Sequence, residues 1–153
     1  MTRIGLISDT HGLLRPQAIA FLQGSDHILH AGDIGDPAIL ATLSRIAPLT
    51  AVRGNNDHGA WAEALHASVD MVFERVRVHM LHDLATLAID PHAAGIGVVV
   101  CGHSHRPAID RRAGLLHVNP GSAGRRRFRL PIAVGELVVD GDAVDARIVE
   151  LDG

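Results

Sequence analysis

The sequence predicts an α/β fold in which two β-sheets pack on each other and helices flank them, and three observations carry that expectation. The first part of the chain alternates short apolar runs with helical patterns. The second part is almost entirely strand patterns, and polar residues with glycine neighbours recur where the apolar runs end. At 153 residues the chain is expected to form one domain over residues 1–153, long enough for an apolar core and too short for two enzyme domains.

The segment Arg3-Ile4-Gly5-Leu6-Ile7-Ser8 reads as a buried strand ending in a polar turn. A helix is expected from Pro16 to Gln23, with proline in its first turn and Gly24 just past its end. A second strand runs from His27 to Ala31 and ends at Gly32-Asp33; Pro37 then opens a helix reaching about Ala47, and a third strand covers Leu49 to Arg53. This β-α-β-α-β order implies a parallel sheet with right-handed crossovers, whose strand C-termini share the edge where ligands bind. Past a short helix around Trp61 to Leu65, strands are expected at Val69–Phe73, Val76–Leu81, Ile96–Cys101, Ala108–Arg111 and Leu115–Asn119. The last two, Ile132–Val139 and Ala143–Leu151, are joined by Asp140-Gly141-Asp142, a good hairpin turn.

Nearly half the residues are apolar and a fifth are charged, the profile of a folded globular protein. A net charge of -3 and scarce aromatic residues give no basis for general nucleic-acid binding. The N-terminus carries no signal-peptide pattern and no apolar run is long enough for a membrane span. A lone Cys101 inside an apolar run reads as a buried core thiol, which suits a reducing cytoplasm. Eleven histidines stand out, and where they fall decides the function.

Five fragments at strand ends carry chemistry: Asp9-Thr10-His11-Gly12, Gly32-Asp33, Gly54-Asn55-Asn56-Asp57, His82-Asp83 and Gly102-His103-Ser104-His105. Glycine beside a polar residue lets the backbone turn and approach a ligand, while His and Asp supply donors suited to first-row divalent metals. On an extended segment, Asp9-x-His11 and His103-x-His105 would each put both side chains on one side. Read singly, either pair is more often a pair of solvated loop residues.

All five blocks in this order resemble those of the calcineurin-like metallophosphoesterases, most closely the small bacterial and archaeal phosphodiesterases, and Asn119-Pro120-Gly121-Ser122 extends the likeness. The resemblance implies a four-layer α/β/β/α metallophosphoesterase sandwich. It also implies that Asp9, His11 and His105 hold one divalent metal, that Asn55, His82 and His103 hold another, and that Asp33 bridges them. Manganese comes first, with iron, zinc, nickel or cobalt as alternatives, since such donors tolerate them all. Two such ions, about 3.5 to 4 Å apart, attract a phosphate ester and lower the pKa of the water that attacks it. Asp33, Asn55 and His82 would support that chemistry.

Two positions depart from the family pattern. Asn56 stands where many larger members have a histidine thought to protonate the leaving oxygen; it is left as a substrate contact, with His58 as a substitute acid. Asp83 stands where glycine is usual, either beside a metal ligand or crowding the pocket. Arg53 and Arg106 flank the Gly-Asn and His-x-His blocks and could reach a phosphate oxygen. Arg125-Arg126-Arg127 with Phe128 and Arg129 either covers the site or is an exposed loop or subunit contact, and a homo-oligomer is left open. His30 either orients a metal ligand or packs, whereas His66, His79 and His92 read as surface or half-buried. Asn119, Gly121 and Ser122 line the site or fix the loop that does. The competing class is a non-catalytic protein-interaction scaffold, as the retromer subunit of similar fold is regarded. A metallo-β-lactamase-like hydrolase lacks its His-x-His-x-Asp-His block here.

Overall fold

A computed structural model describes residues 1–151; the last two residues of the domain expected over 1–153 lie outside the described residues. The elements are β1 (Thr2–Ile7), α1 (Pro16–Leu22), β2 (His27–His30), α2 (Pro37–Ser44), β3 (Leu49–Ala51), α3 (Ala60–Glu63), β4 (Ser68–Phe73), β5 (Val76–Leu81), β6 (Val98–Val100), β7 (Ala108–Arg112), β8 (Leu115–Asn119), β9 (Ile132–Asp140) and β10 (Ala143–Leu151). They form two five-stranded sheets, ordered β10-β9-β1-β2-β3 and β4-β5-β6-β8-β7. Strands β1, β2 and β3 are parallel, as the alternating first part requires, and the β9–β10 hairpin adds to them antiparallel. In the second sheet β5, β6 and β8 are parallel, and the edge strands β4 and β7 are antiparallel to their neighbours.

Residues two apart along a strand point to the same face, and this alternation builds the core between the sheets. Ile4, Leu6, Leu29, Leu137 and Val139 of the first sheet meet Val76, Val78, Met80, Val98, Val100, Leu116 and Val118 of the second. The opposite face of the first sheet receives the helices through Ile7, Ile28 and Val134 against Ala18, Leu22, Ile39 and Leu43. Beyond the second sheet the outer layer is thin: Leu81, Ile96, Val99, Cys101 and Leu115 are covered by Leu87, beside a 3-10 turn at Leu84–Thr86.

Element ends differ from the sequence expectation where local hydrogen bonding changes. Helix α2 stops at Ser44 because the Ile46 and Ala47 amides both return to the Leu43 carbonyl ahead of Pro48, which disfavours helical backbone at the residue before it. The Ile96 amide bonds to the Pro91 carbonyl, so β6 begins later than its apolar run. Beyond α1, Gly24 takes a left-handed φ of 82°, the conformation for which glycine ends helices.

Candidate metal centre

The polar fragments lie just past the C-terminal ends of β1, β2, β3, β5 and β6, so the rims of both sheets contribute. Two groups of donors converge there: Asp9, His11 and His105, and Asp33, His82 and His103, each with ligand atoms within 4.8 Å of one another. His11 Nε2 and His105 Nε2 face each other at 3.3 Å, and Asp9 Oδ1 lies 3.4 Å from His105 Nε2 and 3.7 Å from His11 Nε2. In the second group His82 Nε2 is 3.2 Å from Asp33 Oδ2, and Asn55 Oδ1 joins at 3.1 Å from His103 Nδ1. Asp33 Oδ2 is also 3.6 Å from His11 Nε2, so its carboxylate lies between the groups.

Extended backbone is not what makes these side chains converge. Asp9, His11, Asp33, His103 and His105 all have left-handed φ, between 45° and 71°; they are five of the eight non-glycine residues with positive φ among those described. This conformation costs an L-residue on the order of 1 kcal/mol, and strain of this kind collects at functional sites. The expectation of an extended backbone at Asp9-x-His11 and His103-x-His105 is therefore corrected; His105 and His103 fall in different donor groups.

Neighbouring residues fix the donors. Ser8 Oγ donates to Asp9 Oδ2 at 2.6 Å, and the His103 amide donates to the same oxygen. His82 Nδ1 donates to the Ala31 carbonyl at 2.7 Å, which sets the tautomer and leaves Nε2 for the cluster. Asn56 donates to Asp33 through both its backbone and side-chain amides, at 2.9 and 3.1 Å. Asp57 accepts from the amides of Ile34, Gly35 and Gly54, pinning the two loops together. Fully buried His30 accepts from the Gly32 amide at Nδ1 and contacts Thr10 Oγ1 through Nε2, while Thr10 Oγ1 donates to the Ile34 carbonyl. His30 thus joins the loop of Asp9 and His11 to the loop of Asp33 without touching a ligand side chain.

Burial and neighbours set the charges. Burial opposes ionisation of Asp9, yet His105, His11, Ser8 and the field of His82 outweigh it and hold the carboxyl well below the usual range. Asp33 is likewise lowered: burial opposes it, and His82 and the Asn56 amide prevail. Burial works against charge on His82, but Asp33 and Asp9 raise its pKa. Carboxylates that favour a proton there favour any cation. Asp9 Oδ1 and His82 Nε2 are buried with no hydrogen-bond partner inside this cluster, so the donor chemistry and the unused atoms both fit divalent metal ions.

The remaining expected residues fall around this core. His58 is exposed, and among the described residues no contact ties it to the donors. Arg53 Nη1 donates to the Leu65 carbonyl, and exposed Arg106 lines a cavity beside His103. The side chain of Asp83 caps the 3-10 turn through the Ala85 amide, and its Oδ2 is 3.8 Å from His103 Nε2. Asn119 donates to the Gly102 carbonyl and to Ser104 Oγ, and Ser122 donates to the Asp9 carbonyl, so this segment braces two donor loops. Arg125, Arg126, Arg127, Phe128 and Arg129 are exposed. His66 and His92 are exposed as expected, but His79 is buried, its Nδ1 held by Asp70 at 2.6 Å. Cys101 is a buried thiol pushed up to about 11 by burial and by the nearby charges of Asp9 and Asp83. Ser8, Thr10 and the anchoring role of Asp57 were not foreseen: they act through backbone groups and hydroxyls, and only the proximity of Asp57 to the Gly-Asn block gave a signal.

Residues 2–142 match the model of the calcineurin-like phosphoesterase superfamily domain. A probable metallophosphoesterase of Methanothermobacter thermautotrophicus is 35% identical, covering 95% of this chain and 91% of its own. Among solved structures, vacuolar protein sorting 29 from Cryptosporidium parvum superposes with a TM-score of 0.85 at 18% identity, covering 99% of this chain and 92% of its own. An archaeal phosphodiesterase superposes with a TM-score of 0.80 at 19% identity, covering 97% of this chain and 100% of its own. Among the described residues no helix is long and apolar enough to cross a membrane.

Proposed function

We propose that this chain, which belongs to the calcineurin-like phosphoesterase superfamily, is a dinuclear-metal-dependent phosphodiesterase. The observation that carries the reading is the pair of donor groups on one rim with the Asp33 carboxylate between them. In this reading Asp9, His11 and His105 hold one ion, Asn55, His82 and His103 hold the other, and Asp33 serves both. Manganese is the first choice of metal. When bound, such a pair supplies positive charge for a phosphate anion and lowers the pKa of the attacking water.

The chain's own residues supply the rest. The fixed tautomer of His82 keeps Nε2 turned to the cluster, and Asn56 holds the Asp33 carboxylate. An amide cannot donate a proton to the leaving oxygen, and Asn56 is already engaged, so esters of acidic alcohols are the better substrates. A second reading, a metal-binding scaffold without catalysis, draws on the likeness to vacuolar protein sorting 29. Retention of all seven expected donors favours the hydrolase.

Turnover of bis(p-nitrophenyl) phosphate across a series of divalent ions tests the choice. We expect metal-dependent hydrolysis that falls in Asp33→Ala and in His103→Ala by more than the roughly 10- to 100-fold that loss of an outer partner costs, with the circular dichroism spectrum retained. Full activity in either variant would remove the site assignment. Bound metal with no hydrolysis under any ion would favour the scaffold.

A further inference from the structure

Ahead of β9 the chain makes a loop whose two ends are held together, because the Ala133 amide donates to the Ser122 carbonyl at 2.9 Å. Its base is also held against the metal centre. Ser122 Oγ donates to the Asp9 carbonyl, the Ala123 amide to the Ser8 carbonyl and Arg15 to the Gly124 carbonyl, so the base rests on the segment that bears Asp9 and His11. The loop carries Arg125, Arg126, Arg127 and Arg129, all exposed, in a chain whose net charge is -3. None of these guanidinium groups, nor that of exposed Arg106 next to His105, has a hydrogen-bond or ion-pair partner among the described residues. Arg3, Arg15, Arg53 and Arg147, by contrast, are each engaged by a carbonyl or a carboxylate.

The tip of the loop bends back to Arg106. The Leu130 amide donates to the Arg127 carbonyl, and within that turn Phe128 takes a left-handed φ of 57°. Phe128 is 88% exposed, so its ring walls a cleft and does not join the core. This cleft, of about 350 Å³, is lined by Arg106, Phe128, Arg129 and Leu130, and among the described residues no carboxylate lines it. Arg106 also lines the cavity that contains His103, so the cleft adjoins the second donor group. Two guanidinium groups lining one cleft without a counter-ion repel each other, and their forked donors match the oxygens of a phosphate. We propose that the cleft between Arg106 and Arg129 is a second anion subsite, and that the substrate is a phosphate ester carrying a further phosphate group. The assignment rests on the phosphoesterase reading of the adjoining centre.

Calorimetric titration of the manganese-loaded protein with thymidine 5′-monophosphate and thymidine 3′,5′-bisphosphate tests it. We expect the bisphosphate to bind at least about tenfold more tightly, beyond the roughly twofold that two interchangeable phosphates give statistically. The double variant Arg106→Gln, Arg129→Gln should bring the ratio down to about twofold. Arg45→Gln removes one such charge beyond the end of α2, which runs back from the rim, and should leave the ratio unchanged. Equal affinity for the two nucleotides, a ratio that survives the double variant, or the same loss in Arg45→Gln would overturn the assignment. Sedimentation with phosphatidylserine vesicles in place of any nucleotide preference would give the loop to a membrane surface instead. Turnover of the p-nitrophenyl ester of thymidine 5′-phosphate, with and without a 3′-phosphate, separates this assignment from the hydrolase reading. If neither ester is hydrolysed while the affinity ratio and the variant effects hold, the hydrolase reading falls and the anion subsite stands. If both are hydrolysed with equal kcat/KM and the nucleotides bind equally, the subsite falls and the hydrolase reading stands.

Discussion

Asp57 spends both carboxylate oxygens on backbone amides: Oδ1 on Ile34 and Gly35, Oδ2 on Gly54. Truncation leaves three amides of the Asp33 and Asn55 loops without their acceptor, and an unpartnered buried amide costs about 1–3 kcal/mol. We expect Asp57→Ala to lower unfolding free energy by about 3 kcal/mol or more, read as a lower urea midpoint at an unchanged slope. His30 gives a different signature. Burial holds its pKa down at about 4 against an ordinary 6.5, so between these values the unfolded chain binds the extra proton. Its contribution is therefore complete above pH 6.5 and is lost as pH falls towards 4, on the order of 3 kcal/mol in all. Urea unfolding of chelator-treated protein at several pH values should show this slope in the wild type and its loss in His30→Gln; parallel curves would refute it. At this scale the candidate donors were legible from the five blocks in their order and the family resemblance that order carries, not from any one His or Asp pair. Ser8, Thr10 and Asp57 were not, because a group that holds backbone amides or loops looks in sequence like any polar loop residue.

The donor-bearing loops are shaped by the space their glycines leave empty. A Cβ at Gly102 would collide with Ser8 Oγ and lie 2.7 Å from Asp9 Oδ2, and one at Gly54 would collide with the Asp33 amide. Neither position needs left-handed backbone; both need room for a neighbouring loop. We expect Gly102→Ala to weaken metal binding at least about tenfold by calorimetry, since Asp9 must move to admit the methyl. Gly97→Ala is the control: its methyl meets only Val76 Cγ1 at 3.5 Å and the Arg77 carbonyl at 3.7 Å, so affinity should stay within about twofold. Equal losses in the two would mean that crowding at Asp9 is not the cause. The strands were legible from their short apolar runs, and α1 and α2 from their opening prolines. The left-handed donor residues were not, since no local pattern marks an Asp or His that tertiary contacts hold in that conformation.

At the level of the whole molecule, each donor group draws on both sheets. Asp9 and His11 follow β1 while His105 follows β6; Asp33 follows β2 while His82 follows β5 and His103 follows β6. The order of β-α-β-α-β units and later strands foretold two sheets, but only the packed structure shows that each donor group spans the seam. We expect two divalent ions per chain by calorimetry, and a thermal midpoint that rises on loading and returns on chelation. At a hundredfold excess over Kd each independent site adds about 2.7 kcal/mol. A single ion per chain, or no change in midpoint, would count against a paired centre. The opposite end of the sheets is tied differently. The Arg75 amide donates to the Gly141 carbonyl, and the Gly141 amide donates to Glu74 Oε1, linking the β4–β5 and β9–β10 hairpin turns. The molecule is thus built like a clasped book: a spine held at one margin by a peptide hydrogen bond and a carboxylate–amide bond, and at the other a clasp that metal ions, on the proposed reading, would tighten.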